Sequence, residues 1–393
     1  MRDGWIKTPI GDLAQVLSGF AFKSELFNES EGMPLIRIRD LPKRNQTETR
    51  YSGSYEDRFV VRQGDFLIGM DGEFHCYEWG GEDALLNQRV CRIQDFKINL
   101  VEPRFIYFAV NQYLDKIEQD TGYTTVKHIS SKQILAINIP LPPLPEQKRI
   151  VDLISSVDSY IEALQQQLES AKKSRNAVLH EILTAGGDDW VEKPLGNVVS
   201  IVNGGTPSTK NEDFWGGSVV WITTTELTAF DGKRVNTSKR TITADGLSHG
   251  PARLVRAGTT LVGTTATIGT CAIADCELTF NQQISGLIPL EKNLDDNYLF
   301  YWIQHCKPIL EGLAAGTSFK RISTSVLKTV YIQLPPIGDQ QKIAELISQM
   351  DGFIESIQHT SIEAKNLRSG LLSDLLSGEH AIPASYDKVI GAA

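Results

Sequence analysis

Leu141-Pro142-Pro143-Leu144-Pro145-Glu146-Gln147-Lys148-Arg149-Ile150 decides how this chain is organised, because it returns in altered form as Leu334-Pro335-Pro336-Ile337-Gly338-Asp339-Gln340-Gln341-Lys342-Ile343. Residues 137–183 align without a gap on residues 330–376 at a constant offset of 193. From Pro145 to Leu183, 14 of 39 positions are identical, among them Ile154/Ile347, Asp158/Asp351, Ile161/Ile354, Arg175/Arg368 and Leu179/Leu372, so the segment is a duplication.

Each copy reads as one long helix. Ile150, Ile154, Val157, Ile161, Leu164, Leu168, Ala171, Arg175, Val178 and Ile182 follow at steps of four and three, a heptad seam. The second copy keeps the phase with Ile343, Ile347, Met350, Ile354, Ile357, Ser361, Ala364, Arg368, Leu371 and Leu375. A proline-rich stop precedes each helix and Gly186-Gly187 and Gly378 follow, so each runs for about 40 residues, or about 60 Å. An apolar seam must be covered in water, and the duplicate is the natural cover. A two-fold arrangement of globule, helix, globule, helix makes the pair an antiparallel coiled coil with the globules at its ends; the alternative is that each helix docks on another protein. Arg175 and Arg368 occupy seam positions where apolar residues belong. Either their stems pack while the heads reach water, or they bond the opposite helix or a protein partner.

Upstream the repeat persists as scattered anchors. Trp5, Pro9 and Gly11 return as Trp190, Pro194 and Gly196, Gly64-Asp65-Phe66-Leu67-Ile68-Gly69 as Gly258-Thr259-Thr260-Leu261-Val262-Gly263, and Asn87-Gln88-Arg89 as Asn281-Gln282-Gln283. Between anchors the residues differ: Met70-Asp71-Gly72-Glu73 faces Thr264-Thr265-Ala266-Thr267. Short strands are expected at 35–38, 66–68, 219–222 and 260–262. Amphipathic helices are expected to open at Pro103 and behind a cap at Asp296 or Asn297, their aromatic residues serving as core. The fold class is α+β, with two pseudo-repeated domains: residues 1–140, a first long helix in 141–187, a second domain in 188–333, a second helix in 334–380 and a tail in 381–393.

Composition narrows the function. No run of apolar residues is long enough to span a bilayer, and Met1-Arg2-Asp3-Gly4-Trp5 opens no signal peptide, so a cytosolic location is expected. Five cysteines with no C-x-x-C pair fit neither a disulfide framework nor a usual zinc site. A formal charge of −9 opposes phosphate binding, but the charge is uneven. From Gly232 to Arg256 six basic residues meet one acid, and from Arg37 to Arg62 seven meet four. Candidate DNA contacts are therefore Lys233, Arg234, Lys239, Arg240 and Arg253 in the second domain and Arg44, Arg50 and Arg58 in the first; the plainer reading is a solvated charged surface.

Catalytic patterns are wanting. Two glycines never stand two apart, which excludes G-x-G loops, and no P-loop occurs. Gly246-Leu247-Ser248-His249-Gly250 matches a hydrolase elbow in letters but not in setting. Glu146-Gln147-Lys148 resembles the acid-x-Lys element of metal nucleases, with Asp71 as a further ligand, yet its repeat Asp339-Gln340-Gln341 lacks the lysine, and helix-start acids explain both better. No Asn-Pro-Pro-aromatic or Asp-Pro-Pro-aromatic tetrapeptide is present to hold a flipped base. The chain reads as non-catalytic, with no metal site and no cofactor of its own.

The repeated Leu-Pro-Pro motifs, the Gly-Asp-Phe-Leu-Ile and Asn-Gln-Arg anchors and Asn203-Gly204-Gly205-Thr206-Pro207 resemble the specificity (S) subunits of type I DNA restriction and modification systems over nearly the full length. The match departs at Gly338, where the family usually has proline. The resemblance implies that each globule is a target recognition domain reading half of a split double-stranded DNA site and that the helices set the gap. It implies two methyltransferase subunits as partners, using S-adenosylmethionine to methylate an adenine in each half, and a restriction and translocase subunit that uses ATP and Mg. The rival from another class is a coiled-coil adaptor that binds proteins alone.

Overall fold

The computed structural model describes residues 4–120, 127–290, 293–314 and 321–390. Its contacts divide the chain into two compact units, Met1–Leu164 with Thr360–Ala393 and Gln165–His359. The division falls in the middle of each long helix, because each half-helix packs on a different globule. The helices run Leu144–Ala185 and Ile337–Ser377. Gly186 and Gly378 lie directly beyond them at φ +66° and +76°, the left-handed turn that ends a helix most cheaply at glycine.

In the first unit, strand Ile6–Pro9 pairs antiparallel with Asn138–Leu141, the strand that feeds the first long helix. A four-stranded antiparallel sheet follows in the order Gln15–Ser18, Val90–Gln94, Phe66–Gly69, Cys76–Glu78. Helix Pro103–Asp120 belongs to the same core and buries Phe105, Ile106, Phe108 and Leu114. A second sheet of short strands contains one parallel pair, Met33–Ile36 with Ala84–Leu86.

The second unit repeats this plan. Val191–Pro194 pairs with Tyr331–Leu334, and the main sheet runs Val199–Asn203, Ile284–Pro289, Thr260–Gly263, Cys271–Ala274, with Arg234–Val235 added in parallel at the edge. Trp215–Ile222 and Thr279–Phe280 form the matching parallel pair. Helix Asp296–Ala314 buries Tyr298, Leu299, Phe300, Trp302 and Ile303. Its cap is one residue earlier than the sequence suggested: Asp295 Oδ1 accepts from the backbone N–H of Asn297 (2.9 Å) and Tyr298 (3.0 Å), while Asp296 is helical and its carboxylate is engaged by Arg256.

A buried glutamine ties each long helix to its globule. Gln147 Nε2 donates to the carbonyls of Leu100 (3.0 Å) and Pro142 (2.8 Å), and its Oε1 accepts from the N–H of Glu102 (2.8 Å). Gln340 does the same with Asn293, Pro335 and Asp295 at 2.9, 2.8 and 2.9 Å. Both side chains are fully buried, so these bonds satisfy backbone groups that water cannot reach. Gly338 in place of proline changes nothing at the helix start: Pro336 O accepts from Asp339 and Gln340 as Pro143 O accepts from Glu146 and Gln147.

Within each unit the two half-helices run antiparallel. In the first, Ile150 and Ile154 share a core with Leu375 and Leu376, and Asp158 pairs with Arg368. In the second, Leu179 and Leu183 share a core with Ile343 and Ile347, and Arg175 pairs with Asp351. The seam shifts by one residue near the end of the first helix: Leu179 and Leu183 are buried, Val178 and Ile182 only partly. There the helix faces both its partner and the globule, and a stripe serving two neighbours is wider than a heptad line.

The seam arginines are held by carboxylates, Arg175 buried and Arg368 partly exposed. Arg175 is buried; its Nε lies 2.9 Å from Asp351 Oδ1, its Nη2 donates to Gln304 Oε1 (2.8 Å), and its guanidinium sits 5.4 Å from the Tyr301 ring centre. Arg368 pairs with Asp158 and lies 5.8 Å from the Phe108 ring. Phe108 and Tyr301 are themselves 193 residues apart, so one three-part node is built in each unit. A guanidinium buried against an aromatic face needs its carboxylate, since an unpaired buried charge is costly.

Two measurements test these contacts. Gln147→Leu leaves the Glu102 N–H and two carbonyls without partners and should cost about 2–4 kcal/mol in urea unfolding, with Gln340→Leu costing a similar amount. Arg175→Met should cost about 1–3 kcal/mol and Arg175→Met with Asp351→Leu much less, so a double-mutant cycle should give a clear coupling energy; additive losses would show that the pair is not coupled.

Candidate nucleic-acid interface

The structure sorts the basic candidates into two groups. In the first domain Arg50 is tied down: Nη2 bonds Glu82 Oε1 at 2.9 Å and Nη1 donates to the Gly32 carbonyl at 2.8 Å. Arg58 pairs with Glu56 at 3.0 Å while lying 4.7 Å from the Phe59 ring. Arg44 is different. It ends a short 3-10 helix at φ 64°, a left-handed position that turns the chain outward; it is exposed, makes no ion pair among the described residues, and is 5.9 Å from the Tyr77 ring.

In the second domain Arg234 is shared between Asp275 (3.3 Å) and Asn297 Oδ1 (2.8 Å). Lys233, Lys239, Arg240 and Arg253 are exposed and make no ion pair among the described residues. Arg253 donates to the carbonyls of Gly250 and Ala252. Arg240 stacks 3.6 Å from the centre of the Trp215 ring, which meets Trp221 edge-on at 4.9 Å. Stacking holds a guanidinium in place while leaving its charge and edge donors available. The sequence marked Arg240 by charge; it gave no sign of the tryptophan platform, whose Trp215 lies 25 residues earlier, in strand Trp215–Ile222.

A buried carboxylate holds the loop that carries these cations. Glu226 Oε1 accepts from the N–H of Lys239 at 2.6 Å, and its Oε2 accepts from the N–H and Oγ of Thr223 at 3.0 and 2.6 Å. Burial opposes its charge, yet the hydrogen bonds from Thr223 and Lys239 outweigh burial and hold the carboxyl below the usual range. Arg175 and Arg368 are not part of this surface; they lie in the nodes of the helix pairs.

Other suspected chemistry is not assembled. Ser248 sits inside helix Ala244–His249, not on an elbow, although a two-residue strand, Thr241–Ile242, does precede it. Asp71 spends both oxygens on Arg89 and His128, at 2.6 Å each, and Glu146 Oε2 accepts from Trp5 Nε1 at 3.3 Å. Among the described residues no group of three or more His, Cys, Asp or Glu is placed to hold a metal ion. Cys91 and Cys306 are buried, which pushes each thiol up to about 12. No described helix is long and apolar enough to cross a membrane.

A sequence model of the family described as Type I restriction modification DNA specificity domain matches residues 2–173 and again 187–366. The chain is similar to the specificity subunit of the type I restriction enzyme EcoBI of Escherichia coli, 30% identical over 99% of this chain and 92% of that one. It is similar also to the MjaVIII specificity subunit of Methanocaldococcus jannaschii, 22% identical over 96% of this chain and 93% of that one. In fold it is similar to a type I restriction-modification S subunit from M. genitalium, with TM-score 0.59 and 14% identity over 94% of this chain and 96% of that one. A chain from a study of complex assembly and conformational transition in a type I R-M system matches with TM-score 0.60 and 19% identity, over 96% of this chain and 98% of that one.

The Glu226 contact carries a pH dependence. A carboxyl held below its ordinary value stabilises the loop above that value, and the effect is lost as pH falls through the lowered one. Protection of the Lys239 amide in hydrogen exchange should therefore hold through the ordinary glutamate range and fall only as pH drops below it, and Glu226→Gln should remove that dependence. A pH-independent amide would show that Glu226 does not hold the loop.

Proposed function

The chain belongs to the type I restriction modification DNA specificity family, whose role is DNA recognition, and on that premise we propose that it reads a split DNA target with its two domains and positions methyltransferase subunits there. The observation that carries this reading is that the two units share a hydrogen-bonded frame while presenting different side chains. Similar frames with different surfaces suit two different half-sequences, read by one chain. Linking the two contacts raises the second by effective concentration, so that two modest affinities give one selective site. The long helices set the gap between half-sites in this proposal. Their uninterrupted length, and the guanidinium and carboxylate that fix register in each unit, support it.

The cations without carboxylate partners, Arg44, Lys233, Lys239, Arg240 and Arg253, serve as phosphate contacts; the paired ones, Arg50, Arg58 and Arg234, start at a disadvantage because an ion pair must break first. Catalysis then lies on partners: methyltransferase subunits with S-adenosylmethionine, and a restriction subunit with ATP and Mg. The relatives this chain matches are named as specificity subunits of restriction enzymes, which supports this division of labour.

Binding of duplex DNA by the chain assembled with methyltransferase subunits should weaken steeply with salt. Alanine at Lys233, Lys239, Arg240 or Arg253 should weaken cognate and unrelated duplexes alike and lower the salt slope by about one each, with a smaller effect from Arg50→Ala and Arg58→Ala. Salt-insensitive association with protein and none with DNA would favour the adaptor and reject this function.

A further inference from the structure

The duplication allows one domain to be read against the other, and one place stands out. In the first domain three loops meet. The N–H of Met70 donates to the carbonyl of Arg89 (2.8 Å), the N–H of Ile129 to the carbonyl of Met70 (2.9 Å), and Asp71 forms a backbone bridge with His128. The second domain repeats the same contacts: Thr264 N–H to Gln283 O (2.9 Å), Ile322 N–H to Thr264 O (2.8 Å), and a bridge between Thr265 and Arg321. The backbone frame is the same; the side chains are not. Asp71, Arg89 and His128 in one domain are replaced by Thr265, Gln283 and Arg321 in the other.

In the first domain the exchanged side chains form one polar unit. Asp71 is mostly covered and its two oxygens bond Arg89 Nη1 and His128 Nδ1, both at 2.6 Å, whereas Arg89 and His128 remain 58% and 49% exposed. One carboxylate thus orients two outward polar side chains, a guanidinium and an imidazole. Arg89 also carries φ 73°, a conformation that costs a bulky residue energy and that the surrounding contacts must hold. In the second domain Gln283 Oε1 accepts from Thr224 Oγ1 at 2.8 Å, which fixes a carboxamide at the matching place, and Arg321 is exposed.

We infer that this three-loop junction is where each domain reads base edges, through Arg89 and His128 in the first and Gln283 and Arg321 in the second, with Asp71 as a positioning residue. The inference rests on the DNA-reading function proposed above and adds the residues that determine sequence. A planar guanidinium suits the paired acceptors of guanine and a carboxamide the donor and acceptor of adenine, so exchanging one for the other on a common frame changes the base preferred. The stacked and unpaired cations hold the sugar-phosphate backbone, whereas the junction discriminates.

The test uses the full chain assembled with methyltransferase subunits, on a duplex bearing the target mapped from its methylated adenines and on duplexes with either half scrambled. Arg89→Gln and His128→Gln should lower discrimination for one half-site by about ten- to hundredfold, leaving affinity for scrambled duplex and the salt slope unchanged. Asp71→Asn should lower it at the same half. Gln283→Ala and Arg321→Gln should act on the other half only. His128→Gln leaves the strained backbone at Arg89 untouched and keeps the test valid if Arg89→Gln fails to fold. Discrimination that survives these variants, or equal weakening of cognate and scrambled duplexes with a lower salt slope, overturns the inference alone. An unaltered assembly with no salt-sensitive duplex binding overturns the DNA-reading function and this inference together.

Discussion

A long helix with an apolar face must have that face covered on every turn, and the need to cover two such helices governs the architecture of this chain. Ile150, Ile154, Ile161, Leu164, Leu179 and Leu183 of the first helix and Ile343, Ile347, Ile357, Ala364, Leu375 and Leu376 of the second are all buried. Apolar contact is indifferent to direction and to sliding by a heptad. Direction and register come instead from polar contacts with one geometry: Arg175 with Asp351 in one unit and Arg368 with Asp158 in the other. Each guanidinium also faces an aromatic ring from its globule, Tyr301 or Phe108, so helix register and globule seating are tied to the same atoms. Gln147 and Gln340 complete the attachment at the helix starts, where a carboxamide is the side chain that can donate to two carbonyls and accept from an N–H at once.

The same economy explains how a domain can keep its fold and change its surface. The four strands that the main sheets share stand in the same order, and the loop contacts at Met70/Arg89 and Thr264/Gln283 are made by backbone atoms. Backbone bonds do not depend on which side chain is carried. Asp71, Arg89 and His128 can therefore become Thr265, Gln283 and Arg321 with the frame intact.

Charge follows a related logic. A net charge of −9 is compatible with phosphate binding because acids and bases are not spread evenly, and because part of the acid content is spent internally. Glu82, Glu56, Asp275 and Asp296 neutralise nearby arginines, and Glu226 spends its charge on backbone N–H groups of its own loop. What remains is a smaller set of cations than a count of the sequence suggests, one of them fixed on Trp215.

Much of the fold was legible in the sequence because the chain repeats itself. Period and punctuation located both long helices, from the proline-rich stops to Gly186 and Gly378, and the uneven divergence of anchors and loops separated frame from surface. Those features are local, and local sequence carries them: helical period, proline's missing donor and glycine's access to positive φ act within a few residues. The cap at Asp295, the shift of the seam to Leu179 and Leu183, and the division of the basic residues into paired and unpaired were not legible. Distant partners decide them: Glu82 lies 32 positions from Arg50, Asp351 lies 176 from Arg175, and the Asp296 carboxylate next to the local cap at Asp295 is taken by Arg256, 40 positions away. The sequence determined that there are two domains and two helices and that the domains differ in chemistry. Only the tertiary structure decided which charges are spent on one another and which face outward, because neutralisation, burial and orientation are set by neighbours that folding supplies.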